Sequence, residues 1–275
     1  MKSRIVLYCL LGGLPITLAA LGAGHFAWWW LSGIVLTAAF APVALFGPRS
    51  GLGQFGVIAP VFAFVTVLCT WSEAFVFVPS FRQHAGRDLV GSLTMYFITA
   101  MVLAALAWGL KLTKPSDRTV EHRSPASAIA LVAVCGVAYV VYYLIFGAIT
   151  FQFFTKGYYP EATQIAMSLG LWFWVIQFGR GVLITVAVLP VIYTLRMNRW
   201  QVALAAGVLI WVAGGLAPLL VPNAFMGTTQ RMIHIVEILT QNASLGITAG
   251  LLLRPKATVT TSSSAERPEL LRHAS

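Results

Sequence analysis

The feature that most constrains this chain is its lack of charge over long stretches. No Asp, Glu, Lys or Arg occurs from Ile5 to Pro48, and further uncharged tracts recur as far as Leu253. A helix needs about 20 residues to cross hydrocarbon. In lipid every backbone N–H and C=O must find its partner inside the protein, which a helix provides. Only 9% of the 275 residues are charged and 59% are hydrophobic, whereas soluble domains carry roughly 25% charge. The sequence therefore predicts an all-α, polytopic transmembrane helix bundle of about eight spans.

Turn residues and charges place these spans at about 5–22, 27–46, 56–79, 90–110, 127–151, 167–194, 202–221 and 231–253. The break from Gly22 to His25 divides a tract too long for one crossing. Pro48 to Gly53 reads as a tight loop, and Lys111 to Arg123 as a solvated loop between two halves of four spans. Gln152 to Thr163 reads as an interfacial loop, with Tyr158, Tyr159 and Pro160 near its middle. No residue-level repeat relates the halves. Residues 1–253 form a single transmembrane domain, and the Ser/Thr-rich 254–275 predicts a disordered cytoplasmic tail.

Net charge is +10, from 18 Lys and Arg against 8 Asp and Glu. No basic run is interleaved with aromatics as in nucleic-acid binders, so the partner implied is the lipid bilayer and not nucleic acid. With a cytoplasmic N-terminus, thirteen basic residues fall inside, four outside (Arg82, Arg87, Lys156 and Arg231) and Arg180 within a span. That bias predicts both termini in the cytoplasm, in a plasma (inner) membrane. A rival reading takes the first span as a cleaved signal peptide. Pro15 in its apolar region, a poor cleavage pattern and the immediate second span argue against it. Cys9, Cys69 and Cys135 lie in apolar tracts without a CxxC pair and read as small hydrophobes.

Polar residues inside a bilayer cost about 2.5–3.5 kcal/mol each when charged, so they point to function. Glu73 lies in the third span, Gln177 and Arg180 in the sixth, and Arg231, His234, Glu237, Gln241 and Asn242 in the eighth. At about 100° per residue, these five of the eighth span share one face, with Met232, Val236, Leu239 and Ala243 opposite. The topology puts Glu73 and Glu237 about 9 Å below the outer surface and the sixth-span pair about 15–20 Å down. Arg180 and Arg231 balance Glu73 and Glu237, which predicts one hydrogen-bonded network around an outward-opening cavity. The competing reading is architectural, because buried Arg–Glu pairs also fix helix register.

Three function classes remain open. One is a small transporter or ligand-binding membrane protein that takes a polar or anionic group at Arg180, Arg231, His234 and Glu237, with Glu73 as proton or counter-charge partner. The second is a membrane-embedded enzyme for a lipid-linked substrate, and the third an accessory or scaffold subunit. No GxSxG and no nucleotide-binding loop is present. Haem or metal through His25, His84 and His234 is a weaker expectation, since no zinc spacing occurs. Otherwise no cofactor is expected. Gly246 and Gly250 form a GxxxG pattern that suits close helix packing, either within the chain or with a second copy or another membrane protein. Pro190 and Pro218 can bend the sixth and seventh spans. Trp28 to Trp30 fit an outer aromatic belt.

Overall fold

The computed structural model describes residues 1–115, 120, 122–158, 162–223 and 226–255. All its regular structure is helical. Among the described residues eight helices are long and apolar enough to cross a membrane: α1 (Lys2–Ala19), α2 (Phe26–Phe46), α3 (Gly51–Val76), α4 (Ala85–Gly109), α5 (Pro125–Thr155), α6 (Leu171–Thr194), α7 (Arg199–Leu220) and α8 (Thr228–Leu253). The expected tail beyond Pro255, and Asp117, Arg118, Glu121, Tyr159 and Pro160 of the expected loops, lie outside the described residues.

Local chemistry explains where the helices stop. Gly24 and His25 take left-handed φ values of 73° and 56°, which ends the first crossing and turns the chain into α2. The Ser50 hydroxyl accepts from the Gly53 N–H and starts α3. Asn198 and Gln201 form a reciprocal capping box that starts α7. The largest departure from expectation lies between α5 and α6. The fifth helix runs on to Thr155, and a separate short helix, Ala162–Leu169, precedes α6. Gly170, at φ 52°, breaks the chain there, so α6 begins at Leu171 and not at 167.

Helices α3 and α7 are central, with about half of each crossing buried, while α4 and α5 are peripheral. Helix α3 packs against α4, α6 and α7, α5 against α6, and α7 against α8. Small residues permit the closest approaches. A Cβ on Gly33 would sit 2.6 Å from the Gly13 Cα, and one on Gly246 equally close to the Gly207 Cα. A Cβ on Gly250 would run into the Ala203 Cα. The GxxxG pattern is thus packed within the chain, against α7. Helix α1 is part of the core: Tyr8 and Ile16 are fully buried in it.

The helical ladder widens to i→i+5 in four spans. These π segments are Val61–Cys69 of α3, Tyr143–Gly147 and Phe151–Thr155 of α5, Val212–Leu216 of α7 and Leu239–Ala243 of α8. The first follows Pro60, which has no N–H to donate. The segments of α3, α7 and α8 and the first segment of α5 pack on one another. Each π turn inserts a residue and rotates the face that follows it.

Candidate functional site

Loops and termini divide between two faces. The ends of α2, α4, α6 and α8 share a face with both ends of the described chain. There the Lys114 N–H donates to Leu45 O and the Arg196 N–H to Phe46 O. The intramembrane polar residues gather toward the opposite, distal face. Starting from Leu171, Arg180 lies about 13 Å down α6, and Glu237 lies at about the same depth down α8. Glu73 is one turn from the end of α3.

Arg180 is the centre of the site. Its Nη2 donates to Glu73 Oε2 at 3.0 Å and its Nη1 to Gln177 Oε1 at 3.0 Å. The guanidinium also stands over the Tyr139 ring of α5, 5.8 Å from the centroid. Its Nε is buried without a hydrogen-bond partner. The two charges differ in setting: the Arg180 side chain is 11% exposed, Glu73 41%. Helices α5 and α6 approach closely here because Gly181 lies against Tyr139, and Gly136 against Phe178 and Val182.

A shallow recess opens beside the pair, walled by Ser72, Glu73, Phe173, Ile176, Gln177 and Arg180. Leu169, the last residue of the short helix before Gly170, closes its rim. Only a water-sized part of the recess is clear of the walls.

A second polar group stands on α8. His234 Nδ1 and Glu237 Oε2 are 2.8 Å apart, and Gln241 Nε2 donates to Glu237 Oε1 at 3.1 Å. Gly147 of α5 faces this pair, with Glu237 Oε1 3.6 Å and Gln241 Nε2 3.5 Å from where its Cβ would be. Tyr139 of α5 lies under Arg180, and the Tyr143 ring packs against Tyr139 and against Phe173 of the recess wall. Sequence reasoning missed both. Their signal was two phenol groups four residues apart in the middle of an apolar tract, next to Gly147.

The network expected with two arginines and two glutamates does not form. Arg231 is 6% exposed and turns away, its Nη1 donating to Val221 O at 3.2 Å and its Nη2 to Thr228 Oγ1 at 3.4 Å. It caps the carbonyl end of α7. Asn242 also leaves the expected face, because the π turn from Leu239 rotates it toward α7, where it donates to Ile210 O at 3.2 Å. Met232 and Val236 are exposed on the far side of α8, as the helical wheel requires. Among the described residues no three His, Cys, Asp or Glu side chains are placed to hold one metal ion, so His25, His84 and His234 form no such set. The three cysteines are free thiols, and Cys69 and Cys135 are buried.

No known protein family, no characterised protein and no solved structure matches this chain. The eight crossings identify it as a multi-pass membrane protein, and its site has to be interpreted from its own geometry.

Proposed function

We propose that the protein is a small membrane carrier that binds an anionic group at Arg180 and uses Glu73 as the exchangeable counter-charge. The observation that carries this reading is the unequal burial of the pair. Arg180 is held inside the bundle, while its one carboxylate partner among the described residues stays 41% exposed on the wall of a recess. A buried cation must keep an anionic partner. Protonation of Glu73 removes that partner, and an anion entering the recess replaces it. The incoming anion and the proton then cross as a neutral unit, which lowers the cost of moving charge through low dielectric. His234 and Glu237, 2.8 Å apart on α8, supply a second proton-accepting pair.

The orientation we infer places both termini in the cytoplasm, in a plasma (inner) membrane. Nine of the described basic residues lie on the terminus-bearing face: Lys2, Arg4, Arg49, Lys111, Lys114, Arg123, Arg196, Arg199 and Arg254. The described carboxylates, Glu73, Asp88 and Glu237, all lie in spans toward the other face. This is the bias of the positive-inside rule. The recess then opens from the outer side.

The test is flux in proteoliposomes that contain a pH-sensitive dye, with small organic and inorganic anions added under a proton gradient. Acidification that needs both an anion and the protein, and that is lost in Arg180→Ala, supports a carrier. A Glu73→Gln variant is expected to bind the anion but to lose coupling to protons. Flux no higher than in protein-free vesicles for every anion would sink the reading. One observation favours an architectural role instead: the pairing is nearly complete and the clear space is small. A Glu73→Arg, Arg180→Glu exchange separates the two, since an architectural pair survives reversal and an anion site does not.

A further inference from the structure

A second site lies on the terminus-bearing face, far from Arg180. The turn after α2 and the end of α4 flank an open recess lined by Arg49, Ala107, Trp108, Gly109, Lys111 and Thr113. The frame is well fixed. Gln54 Nε2 donates to Val43 O at 3.1 Å and to Pro48 O at 2.7 Å, and Thr113 Oγ1 donates to Ala44 O at 3.0 Å. These bonds hold the α2–α3 turn against the segment after α4. Lys111 takes φ 50°, a left-handed value that a side chain other than glycine adopts at a cost.

Among the described residues the charge here is unbalanced. The Arg49 guanidinium and the Lys111 ammonium make no hydrogen bond or ion pair with a described residue. Arg196 stands nearby with its Nε buried and unpartnered, and burial together with Arg49 lowers its affinity for its proton. A cation whose proton affinity falls on folding is in a place that disfavours its charge. An added anion relieves this. The wall is also half apolar, since Trp108 is 64% exposed beside the two cations. A bare phosphate has no use for an indole, whereas an amphipathic anion does.

We propose that this recess is a binding site for one anionic phospholipid, with its phosphate between Arg49 and Lys111 and its glycerol and upper acyl carbons against Trp108. The position suits the occupant: the site lies at the C-terminal end of the α4 span, on the face that is richest in basic residues. Anionic lipid attracts such residues at the membrane surface.

The experiment uses the full chain in detergent, titrated with phosphatidylglycerol, with phosphatidylcholine and with inorganic phosphate. It reads bound lipid by native mass spectrometry and stability by thermal unfolding. Phosphatidylglycerol is expected to bind at least about tenfold tighter than phosphatidylcholine and to raise the melting temperature. The Arg49→Gln, Lys111→Gln double variant is expected to lose that preference, and Lys156→Gln on the opposite face to keep it. A second arm needs no variant: 0.5 M salt is expected to erase the preference in the wild-type protein, through screening. Equal binding of the two lipids overturns the proposal, as does a preference that persists in the double variant or at high salt. A matching stabilisation by inorganic phosphate alone would reassign the site to a soluble anion and also overturn it.

Discussion

At the scale of single residues, Arg180 and Glu73 share one bond but do not contribute equally. Removing Glu73 leaves a guanidinium that is 11% exposed with only Gln177 and the Tyr139 ring beside it. Removing Arg180 leaves a carboxylate that water already reaches. Breaking a buried pair costs about 3–5 kcal/mol when the survivor stays buried and charged. Glu73→Ala is therefore expected to lower the melting temperature well beyond Arg180→Met, as measured by thermal unfolding in detergent. Equal losses would mean that both charges are solvated. The members of this pair were legible in the sequence because a charge or amide in an apolar tract stands out. Arg231 stood out for the same reason and proved to be a helix cap, since its distance from α7 is set by a turn that sequence does not reveal. Tyr139 and Tyr143 stayed hidden because a tyrosine in a membrane protein reads first as an interfacial anchor.

At the scale of helices, arginines do more than set topology. Arg4 reaches Leu110 O, Arg82 reaches Phe75 O and Val76 O, Arg196 reaches Gly47 O, and Arg231 reaches Val221 O. Arg199 bonds Leu251 O, and Arg254 bonds Ile192 O and Leu195 O. Six of the eight spanning helices thus have their carbonyl ends capped by an arginine side chain. A helix end leaves four carbonyls without partners and carries partial negative charge. Hydrogen bonds to charged groups contribute about 1.5–3 kcal/mol each. Arg254→Ala is expected to destabilise by about that much, and Lys2→Ala, which makes no such bond, by far less. Glycine packing gives a second contrast on α6. A Cβ on Gly181 would lie 2.5 Å from the Tyr139 Cβ, whereas one on Gly179 meets nothing within 4 Å. Gly181→Ala is expected to cost about 1–3 kcal/mol and Gly179→Ala close to nothing, read from unfolding midpoints. The number and order of helices followed from charge spacing. The π turns did not, because they depend on how neighbouring helices compete for the same ladder. They are the reason that Asn242 faces α7.

At the scale of the whole molecule, the polar groups of α3, α5, α6 and α8 meet toward one face and the unpaired cations toward the other. This polarity fits a carrier that loads from the distal side. Single cysteines at Ser50 and at His84, placed in a chain whose own three cysteines are changed to alanine, test the orientation. An impermeant maleimide added to intact cells is expected to label the second and spare the first. The central claim is that an anion replaces Glu73 on Arg180. Its most direct test is the number of protons taken up per anion bound, measured calorimetrically with purified protein in two buffers of different ionisation enthalpy. About one proton per anion is expected in the wild type and none in Glu73→Gln, with binding abolished in Arg180→Ala. Anion binding with no proton uptake in the wild type, or with the same uptake in Glu73→Gln, would contradict it.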